Sequence, residues 1–223
     1  MARKTKQDAQ VTRHHILDAA MNVFGRQGVS KTSLNDIAKE AGVTRGAIYW
    51  HFENKVDLFN AMLERLFCPL LLKSEQRQQL MEQDPLGFLR ASTLEFLTRL
   101  REDSNFRKVF EIFWHKCEYI GEMARLRQKY LEEGENHIDI IEQAMTLAQE
   151  KGQLNPCLTP HQATIGFMAM VDGLAFNWTK NLDMFPLETY AAPLLDTYLR
   201  GMGTARPTPA PTLGAERRKP TPV

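Results

Sequence analysis

Apolar residues recur every three or four positions along almost the whole chain, and this spacing restricts the fold more than any other feature of the sequence. It is the period of amphipathic α-helices, and no stretch convincingly shows the two-residue alternation of a half-buried strand. Gly28 ends the first helix, whose apolar stripe consists of Ile16, Leu17, Ala20, Val23 and Phe24. The sequence therefore predicts an all-α protein.

Three short helices joined by tight turns are expected within about the first 50 residues, an arrangement typical of a helix-turn-helix. Thr32 or Ser33 can cap the second helix, and Gly42-Val43 suits the turn because glycine tolerates a positive φ there. The third helix is expected from Thr44 to Trp50. In a helix-turn-helix this helix reads the major groove of DNA.

The rest of the chain has the same periodicity and predicts a larger helical bundle. Asn54 can cap its first helix, and Asp84-Pro85 and Thr159-Pro160 can start two later ones. The predicted domains are residues 1–55, a helix-turn-helix domain; 56–202, a helical ligand-binding and dimerisation domain; and 203–223, a disordered tail with five prolines.

Charge is unevenly distributed between these parts. Residues 1–55 contain nine Lys or Arg and five Asp or Glu, whereas the remaining residues contain nineteen basic and twenty-two acidic side chains. A basic segment on a mildly acidic body fits a head that binds a polyanion. An unevenly charged, solvated surface explains the same counts, so charge alone leaves both interpretations open.

Cysteine content and hydropathy indicate the compartment. The chain has three cysteines without a C-x-x-C spacing, which argues against a disulfide framework and favours a reducing environment. No apolar run approaches the roughly 18 residues needed to span a bilayer, and residues 1–10 lack the apolar region of a signal peptide. The sequence predicts a soluble, cytoplasmic protein with no membrane partner.

The residues predicted to contact DNA lie on and around the third helix. Arg45 can donate two hydrogen bonds to guanine, and the methyl groups of Thr44 and Ala47 can touch thymine. Gly46 has no side chain, which allows close approach of the helix to the groove. Side chains placed to bind phosphates are Thr32, Tyr49, His51 and Lys55.

Three of the aromatic and imidazole side chains in this region have a structural alternative. Tyr49 and Trp50 can pack on the following helix, and for Trp50 we expect packing rather than DNA contact. His51 can cap a helix instead of binding a phosphate.

Residues 32–55, TSLNDIAKEAGVTRGAIYWHFENK, closely resemble the DNA-binding domain of the TetR family. The segment TRGAIYWHF and the opening residues 2–6, ARKTK, look like the branch that represses multidrug efflux operons, the AcrR and TtgR type. The resemblance implies an all-α, two-domain homodimer. It also implies that Arg3, Lys4 and Lys6 reach DNA, whereas the residues alone are equally compatible with a disordered basic arm.

Two carboxylates lie on apolar helical segments of the predicted bundle. Glu111 and Asp172 either form buried ion pairs or orient a ligand, since an unpaired buried carboxylate is costly. The segments HKCE at 115–118 and VDGL at 171–174 are similar to helices that line a drug-binding pocket in the AcrR and TtgR branch. That resemblance implies a pocket formed by Leu66, Ser92, Phe96, Phe110, Glu111, Trp114, Met168 and Asp172.

Neither a metal site nor a catalytic site is expected. His115 and Cys117 supply only two metal ligands, on different helix faces, and a structural role is favoured for both. The sequence contains no Gly-rich phosphate loop, G-x-S-x-G or H-E-x-x-H pattern. We therefore expect no metal, no cofactor and no enzymatic activity.

The expected partners are operator double-stranded DNA, a small-molecule inducer and a second copy of the chain. The last two helices, over about 160–180 and 187–202, are predicted to form the homodimer interface as a four-helix bundle. Two heads must meet successive major grooves about 34–36 Å apart. A ligand that shifts the helix beginning at Asn54 would change this separation and release DNA.

Other functions remain compatible with parts of this pattern. The same fold can sense an acyl or other metabolic effector, and the bundle can belong to a ligand carrier or enzyme. A non-specific architectural DNA protein is disfavoured by the formal net charge of +1, because such proteins rely on many phosphate contacts.

Overall fold

The computed structural model describes residues 6–67 and 74–203, with the side chains of these ranges except 6, 7, 66, 67, 74–76, 122 and 125–137. These ranges contain helices and no strand, which confirms the all-α prediction. The helices are α1 (Lys6–Gln27), α2 (Leu34–Glu40), α3 (Arg45–His51), α4 (Lys55–Phe67), α5 (Ser74–Gln83), α6 (Pro85–Glu102), α7 (Ser104–His115), α8 (Glu122–Glu150), α9 (Pro160–Lys180) and α10 (Leu187–Met202).

Local side-chain caps and one glycine define the helix-turn-helix. Ser33, rather than Thr32, caps α2 through a capping box: its hydroxyl accepts the Asp36 N–H, and the Asp36 carboxylate accepts the Ser33 N–H. Gly42 forms the turn with φ +61°, a conformation that costs other residues energy. The Thr44 hydroxyl then accepts the N–H of Ala47 and starts α3.

One apolar core joins α2 and α3 to α1, α4 and α7. Ile48 on α3 and Phe52 just after it are buried in this core, which fixes the direction of the recognition helix. Val109 and Ile112 bring α7 into the same core. This core continues past residue 55 into α4 and α7, so packing does not mark a domain boundary there. The boundary between residues 55 and 56, where the DNA-binding residues are expected to end, remains a prediction.

The larger helical part has two further apolar cores. One lies between α6, α8, α9 and α10 around Phe167 and Leu195, and the other lies between α6, α7, α9 and α10 around Phe106 and Trp178. A bidentate ion pair between Arg90 on α6 and Asp196 on α10 lies at the protein surface beside them. This packing places α7 between the head and the larger part, in contact with a core on each side.

Helix α5 is not among the helices that the sequence predicted. Its sequence, SEQRQQLMEQ, is almost entirely polar, and Met81 is its buried described side chain. A helix with so narrow an apolar stripe gives little periodic signal. The predicted Asn54 cap, in contrast, is present, because its side-chain oxygen accepts the N–H of Asp57 at 2.9 Å.

Several expectations concern residues outside the described part of the chain. They are the DNA contacts of Arg3 and Lys4, the side chain of Lys6, the pocket-lining side chain of Leu66, and the tail beyond residue 203. Within the described ranges, no helix combines the length and the apolar character needed to cross a membrane. Those ranges also contain no group of three or more His, Cys, Asp or Glu side chains that could hold a metal ion.

A pair of glycine substitutions tests the role of the turn. An added Cβ meets no atom within 4 Å at either Gly42 or Gly25, so both changes act on the backbone alone. We expect Gly42→Ala to lower the free energy of unfolding by about 1 kcal/mol, because Ala resists a positive φ. The control Gly25→Ala, inside α1, should raise it by about 0.5–1 kcal/mol. Urea denaturation followed by circular dichroism measures both, and equal effects at the two positions would contradict the assignment.

Candidate nucleic-acid interface and ligand site

Helix α3 presents a polar and aromatic surface to solvent. Thr44, Arg45, Gly46 and Tyr49 are exposed and Ala47 is half-buried, while Ile48 faces the core. The structure therefore brings five of the eight predicted DNA-contacting residues onto one accessible face. A helix with this exposed face has the dimensions to enter a major groove of B-form DNA.

Arg45 and Tyr49 interact with each other on this face. The Arg45 guanidinium donates a 2.9 Å hydrogen bond to the Tyr49 hydroxyl and lies 5.3 Å from the centre of its ring. The two positions are one helical turn apart, which allows this contact. The guanidinium is thus held at the helix surface with donors left for a base or phosphate.

The expectation that Trp50 packs on the following helix is wrong. Its side chain is 73% exposed, and its ring makes an edge contact with the His51 ring at 4.7 Å. The position on α3 explains this, because Ile48 already occupies the core-facing side of the helix. Trp50 is therefore a further candidate for DNA contact that the sequence analysis missed. It directly follows Tyr49, which was predicted to contact DNA. His51 itself is half-buried.

Thr32 and Lys55 are engaged inside the head rather than presented to a phosphate. Thr32 is 3% exposed, and its hydroxyl donates to the carbonyl of Gly28. The Lys55 ammonium donates to the carbonyl oxygens of Val29, Ser30 and Thr32 at 2.9, 3.3 and 2.9 Å. An ammonium has three N–H donors, so these bonds occupy all of them. The two side chains hold the loop between α1 and α2, in contrast to the phosphate contacts expected from the sequence.

Several of the predicted ligand-site residues form a continuous row of aromatic rings. Phe96 on α6 lies 6.0 Å from Phe110 on α7, and Phe110 lies 6.0 Å from Trp114, measured between ring centres. Trp114 in turn meets Phe176 on α9 at 6.5 Å, edge to face. Phe176 was not predicted, although it lies one turn after Asp172 on the same helix. Trp114 and Phe176 are partly exposed, so this end of the row can meet a ligand.

The polar members of the predicted site lie on the same three helices as this row, α6, α7 and α9. Asp172 is exposed and shares a face of α9 with Met168 and Phe176, whereas Ser92, Glu111 and Met168 are half-buried. Burial nevertheless raises the pKa of Asp172, which indicates that much protein surrounds a carboxyl group that solvent still reaches. None of the described residues forms a salt bridge with Asp172.

Glu111 has a similar electrostatic environment. Burial raises the pKa of its carboxyl group, and the nearby charges of Lys116, Arg107 and Lys108 oppose this effect. The ion-pair alternative for Glu111 finds no support among the described residues, where no basic nitrogen approaches its carboxylate within 4.0 Å. Carboxyl groups with raised pKa values therefore lie on both α7 and α9, two helices that pack together.

Two clefts lie elsewhere on the larger helical part. One of about 700 Å³ opens between α5 and α8 beside Met81 and Leu147, and one of about 130 Å³ lies between α6 and α10 beside Leu97 and Ala191. Neither is lined by the predicted ligand-site residues. The residues predicted from the sequence to bind a ligand lie along the aromatic row instead, and their role remains a prediction.

His115 and Cys117 have structural environments. His115 lies 3.0 Å from the Thr179 hydroxyl, and its pKa is lowered by burial and by the charges of Lys180 and Lys116. Burial raises the pKa of the Cys117 thiol to about 11, so it is a weak nucleophile at neutral pH.

Two family models together match most of the chain. Residues 16–62 match the model of bacterial regulatory proteins of the tetR family, and residues 84–203 match the C-terminal region of MAATS-type transcriptional repressors. The chain belongs to the TetR family. Its helix-turn-helix and larger helical part are therefore the two parts of a TetR regulator, as the sequence predicted.

Individual TetR relatives match over nearly the full length. The chain is 41% identical to the HTH-type transcriptional regulator AcrR of Shigella flexneri over 203 residues, which cover 89% of this chain and 94% of that protein. The crystal structure of NalD, the secondary repressor of the MexAB-OprM multidrug efflux pump in Pseudomonas aeruginosa, superimposes with a TM-score of 0.80. It is 35% identical and covers 89% of this chain and 98% of its own.

A third TetR relative has been solved with a small molecule bound. The complex of triclosan with SmeT, the repressor of the Stenotrophomonas maltophilia multidrug efflux pump SmeDEF, has a TM-score of 0.72. The two sequences are 29% identical, and the match covers 91% of this chain and all of the SmeT chain.

The loop-holding role of Lys55 is tested by Lys55→Met. Loss of three charge-assisted bonds should lower the free energy of unfolding by about 2 kcal/mol or more, whereas Lys31→Met, at an exposed position of the same loop, should have little effect. Thermal melting measures this difference. A phosphate contact would instead leave stability unchanged and reduce the salt dependence of DNA binding by about one unit of log–log slope.

The environment of Asp172 predicts a pH-dependent gain of stability in Asp172→Asn. Because burial raises the pKa of Asp172, its ionised form disfavours folding at pH 7, and the variant should melt at a higher temperature. The difference should shrink as the pH falls through the raised pKa towards about 4, where the wild-type carboxyl group is also neutral. Melting curves across this range measure it. No such gain is expected for Asp183→Asn in the exposed loop before α10, and a gain in both variants would contradict the interpretation.

Proposed function

We propose that this TetR-family chain is a homodimeric repressor of a multidrug efflux operon that a small drug-like molecule releases from its operator. The observation that carries the proposal is the pairing of an exposed recognition helix with an aromatic, carboxylate-bearing site on one packed framework. Helix α7 belongs to the apolar core of the head and also carries Phe110, Glu111 and Trp114. A molecule bound beside α7 is therefore in mechanical contact with the DNA-binding head.

The DNA-reading role is assigned to the exposed side of α3. Arg45 reads guanine, Thr44 and Ala47 contact thymine methyl groups, and Gly46 allows close approach. Tyr49, Trp50 and His51 contact the sugar–phosphate backbone beside the groove. Thr32 and Lys55 act indirectly, by holding the loop that leads into α2. The proposal places this activity in the cytoplasm, where operator DNA is accessible.

The proposed ligand is flat or cationic and mainly apolar. The exposed rings of Trp114 and Phe176 provide stacking surfaces, backed by the inner rings of Phe110 and Phe96, and Met168 provides an adaptable surface. Asp172 and Glu111 can accept hydrogen bonds from hydroxyl groups or pair with a cation. The efflux-pump repressors NalD and SmeT have this fold, and SmeT binds triclosan, a phenolic compound. This chemistry describes a binding site rather than a catalytic one.

The homodimer is assigned to α9 and α10. Tyr190 and Leu194 are exposed on α10, beside its buried stripe, and Leu182 and Met184 are exposed in the preceding loop. Exposed apolar side chains in this number favour burial against another surface. A second copy supplies that surface with two-fold symmetry and also provides the second head that an operator needs.

Binding of DNA from the chain's own upstream region tests this function. Fluorescence anisotropy at fixed salt should reveal a specific site, and triclosan or a cationic dye should weaken the binding. Arg45→Ala should weaken specific binding by about 1–3 kcal/mol with little effect on non-specific DNA. The control Arg101→Ala removes an equal charge from the larger helical part and should leave affinity unchanged. Absence of any specific site upstream would overturn the proposal.

A further inference from the structure

Two consecutive residues at the end of α7 contact opposite parts of the molecule. His115 is the last residue of α7, and Lys116 is its C-terminal cap. His115 contacts α9 in the larger helical part, whereas Lys116 contacts α1 and the loop between α1 and α2 in the head. These contacts are made by α7 and its cap without α4, the helix through which the sequence analysis expected the two parts to communicate. Lys55, at the start of α4, binds the same loop from the other side.

His115 contacts two residues of α9, Thr179 and Phe176. The Thr179 hydroxyl has one proton and donates it to the carbonyl of Ala175 at 2.7 Å. His115 Nε2 lies 3.0 Å from the same hydroxyl oxygen, within hydrogen-bond distance. The imidazole ring also lies 4.5 Å from the ring of Phe176, measured between centres. His115 is therefore fixed by two residues of α9, and one of them belongs to the aromatic row.

The contact of Lys116 with the head uses both its backbone and its side chain. Its carbonyl oxygen accepts the N–H of Val29 at 3.1 Å, and its ammonium donates to the carbonyl of Gly25. Gly28 lies so close that an added Cβ would be 3.3 Å from the Lys116 carbonyl oxygen. A displacement of Lys116 that keeps these two hydrogen bonds therefore moves the end of α1 and the loop after it.

The loop held by Lys116 leads directly into the helix-turn-helix. Lys55 clamps its carbonyl oxygens at Val29 and Thr32 from the start of α4, and the next residue, Ser33, caps α2. A movement of Val29 is thus passed to α2 by the backbone and to α4 by the Lys55 ammonium. Helix α2 packs on α3, and α4 packs in the apolar core that buries Ile48 of α3.

We propose that the His115–Lys116 pair couples ligand binding beside α7 and α9 to the position of the DNA-binding head, through the loop between α1 and α2. This inference rests on the proposed function, since it needs both DNA binding and a ligand. A ligand that separates Trp114 from Phe176 also disturbs the ring on which His115 packs. Lys116 is a positioning residue in this scheme and contacts neither ligand nor DNA.

The test measures operator affinity with and without saturating triclosan for full-length variants. The ratio of the two dissociation constants is the coupling factor. Lys116→Met keeps the aliphatic stem and removes the bond to Gly25, and it should reduce the coupling factor about 3- to 10-fold. Affinity for triclosan in the absence of DNA should change less than about twofold, since Lys116 lies outside the ligand site.

Three further variants make the result specific. Lys116→Arg retains a cationic donor and should restore coupling. Lys108→Met removes the same charge from α7, where the ammonium makes one long hydrogen bond, of 3.5 Å, to the Asn22 side chain on α1, and should retain coupling. Thr179→Val removes the partner of His115 from the α9 side and should reduce coupling as Lys116→Met does. Equal coupling in all variants, or an equal loss in Lys108→Met, overturns the proposal.

Hydrogen exchange at the Val29 amide, measured with and without operator DNA, tests the coupling without an inducer. By reciprocity, operator DNA should change protection of this amide and of residues 112–117 in the wild type. The change at 112–117 should be lost in Lys116→Met. If triclosan does not release the wild-type protein from DNA, the hydrogen-exchange experiment with operator DNA tests the proposal. No change in protection of the Val29 amide on DNA binding would overturn the coupling route and leave the proposed function standing. Failure of the wild type to bind any upstream DNA overturns the proposed function instead.

Discussion

Burial of Ile48 is the constraint on which the DNA-binding surface depends. Helix α3 has seven residues, too few to be stable alone in water, so its position is set by the core beneath it rather than by its own hydrogen bonds. Ile48 and Phe52 pack there against helices that are fixed to one another by the edge contact of Phe24 with Phe59. The opposite side of α3 is thereby free to carry residues that contribute little to folding.

The same core explains why a regulator of this size can respond as a unit. Val109 and Ile112 on α7 are buried with the head, while Phe106 and Phe110 on the same helix are buried with α6 and α9. Close-packed interiors transmit displacement instead of absorbing it. A helix that contributes to two cores therefore cannot change its position in one without affecting the other.

The helix-turn-helix was predictable because local interactions define it. The Ser33–Asp36 capping box, Gly42 and Thr44 each act within four residues, and such patterns are legible in a sequence. The contacts of Lys55 with the loop were not predictable, because its acceptors lie up to 26 residues earlier and come together only after folding. Trp50 was misjudged because its direction depends on Ile48 facing the core. In the ligand region, Phe176 joined the aromatic row through a contact between helices that no local pattern encodes.

Polar groups are treated differently in the two parts of the molecule, and this difference follows from their tasks. In the head, the buried Thr32 hydroxyl and the Lys55 ammonium are satisfied by backbone carbonyls, which makes the loop before α2 rigid. Beside α7 and α9, burial raises the pKa values of Glu111 and Asp172 without a salt bridge from the described residues to offset it. A carboxyl group left in this state lowers stability but gains most from a partner that arrives later. The polar groups of the head are thus satisfied within the fold, whereas the two carboxyl groups of the proposed ligand site have interactions to gain from a bound partner.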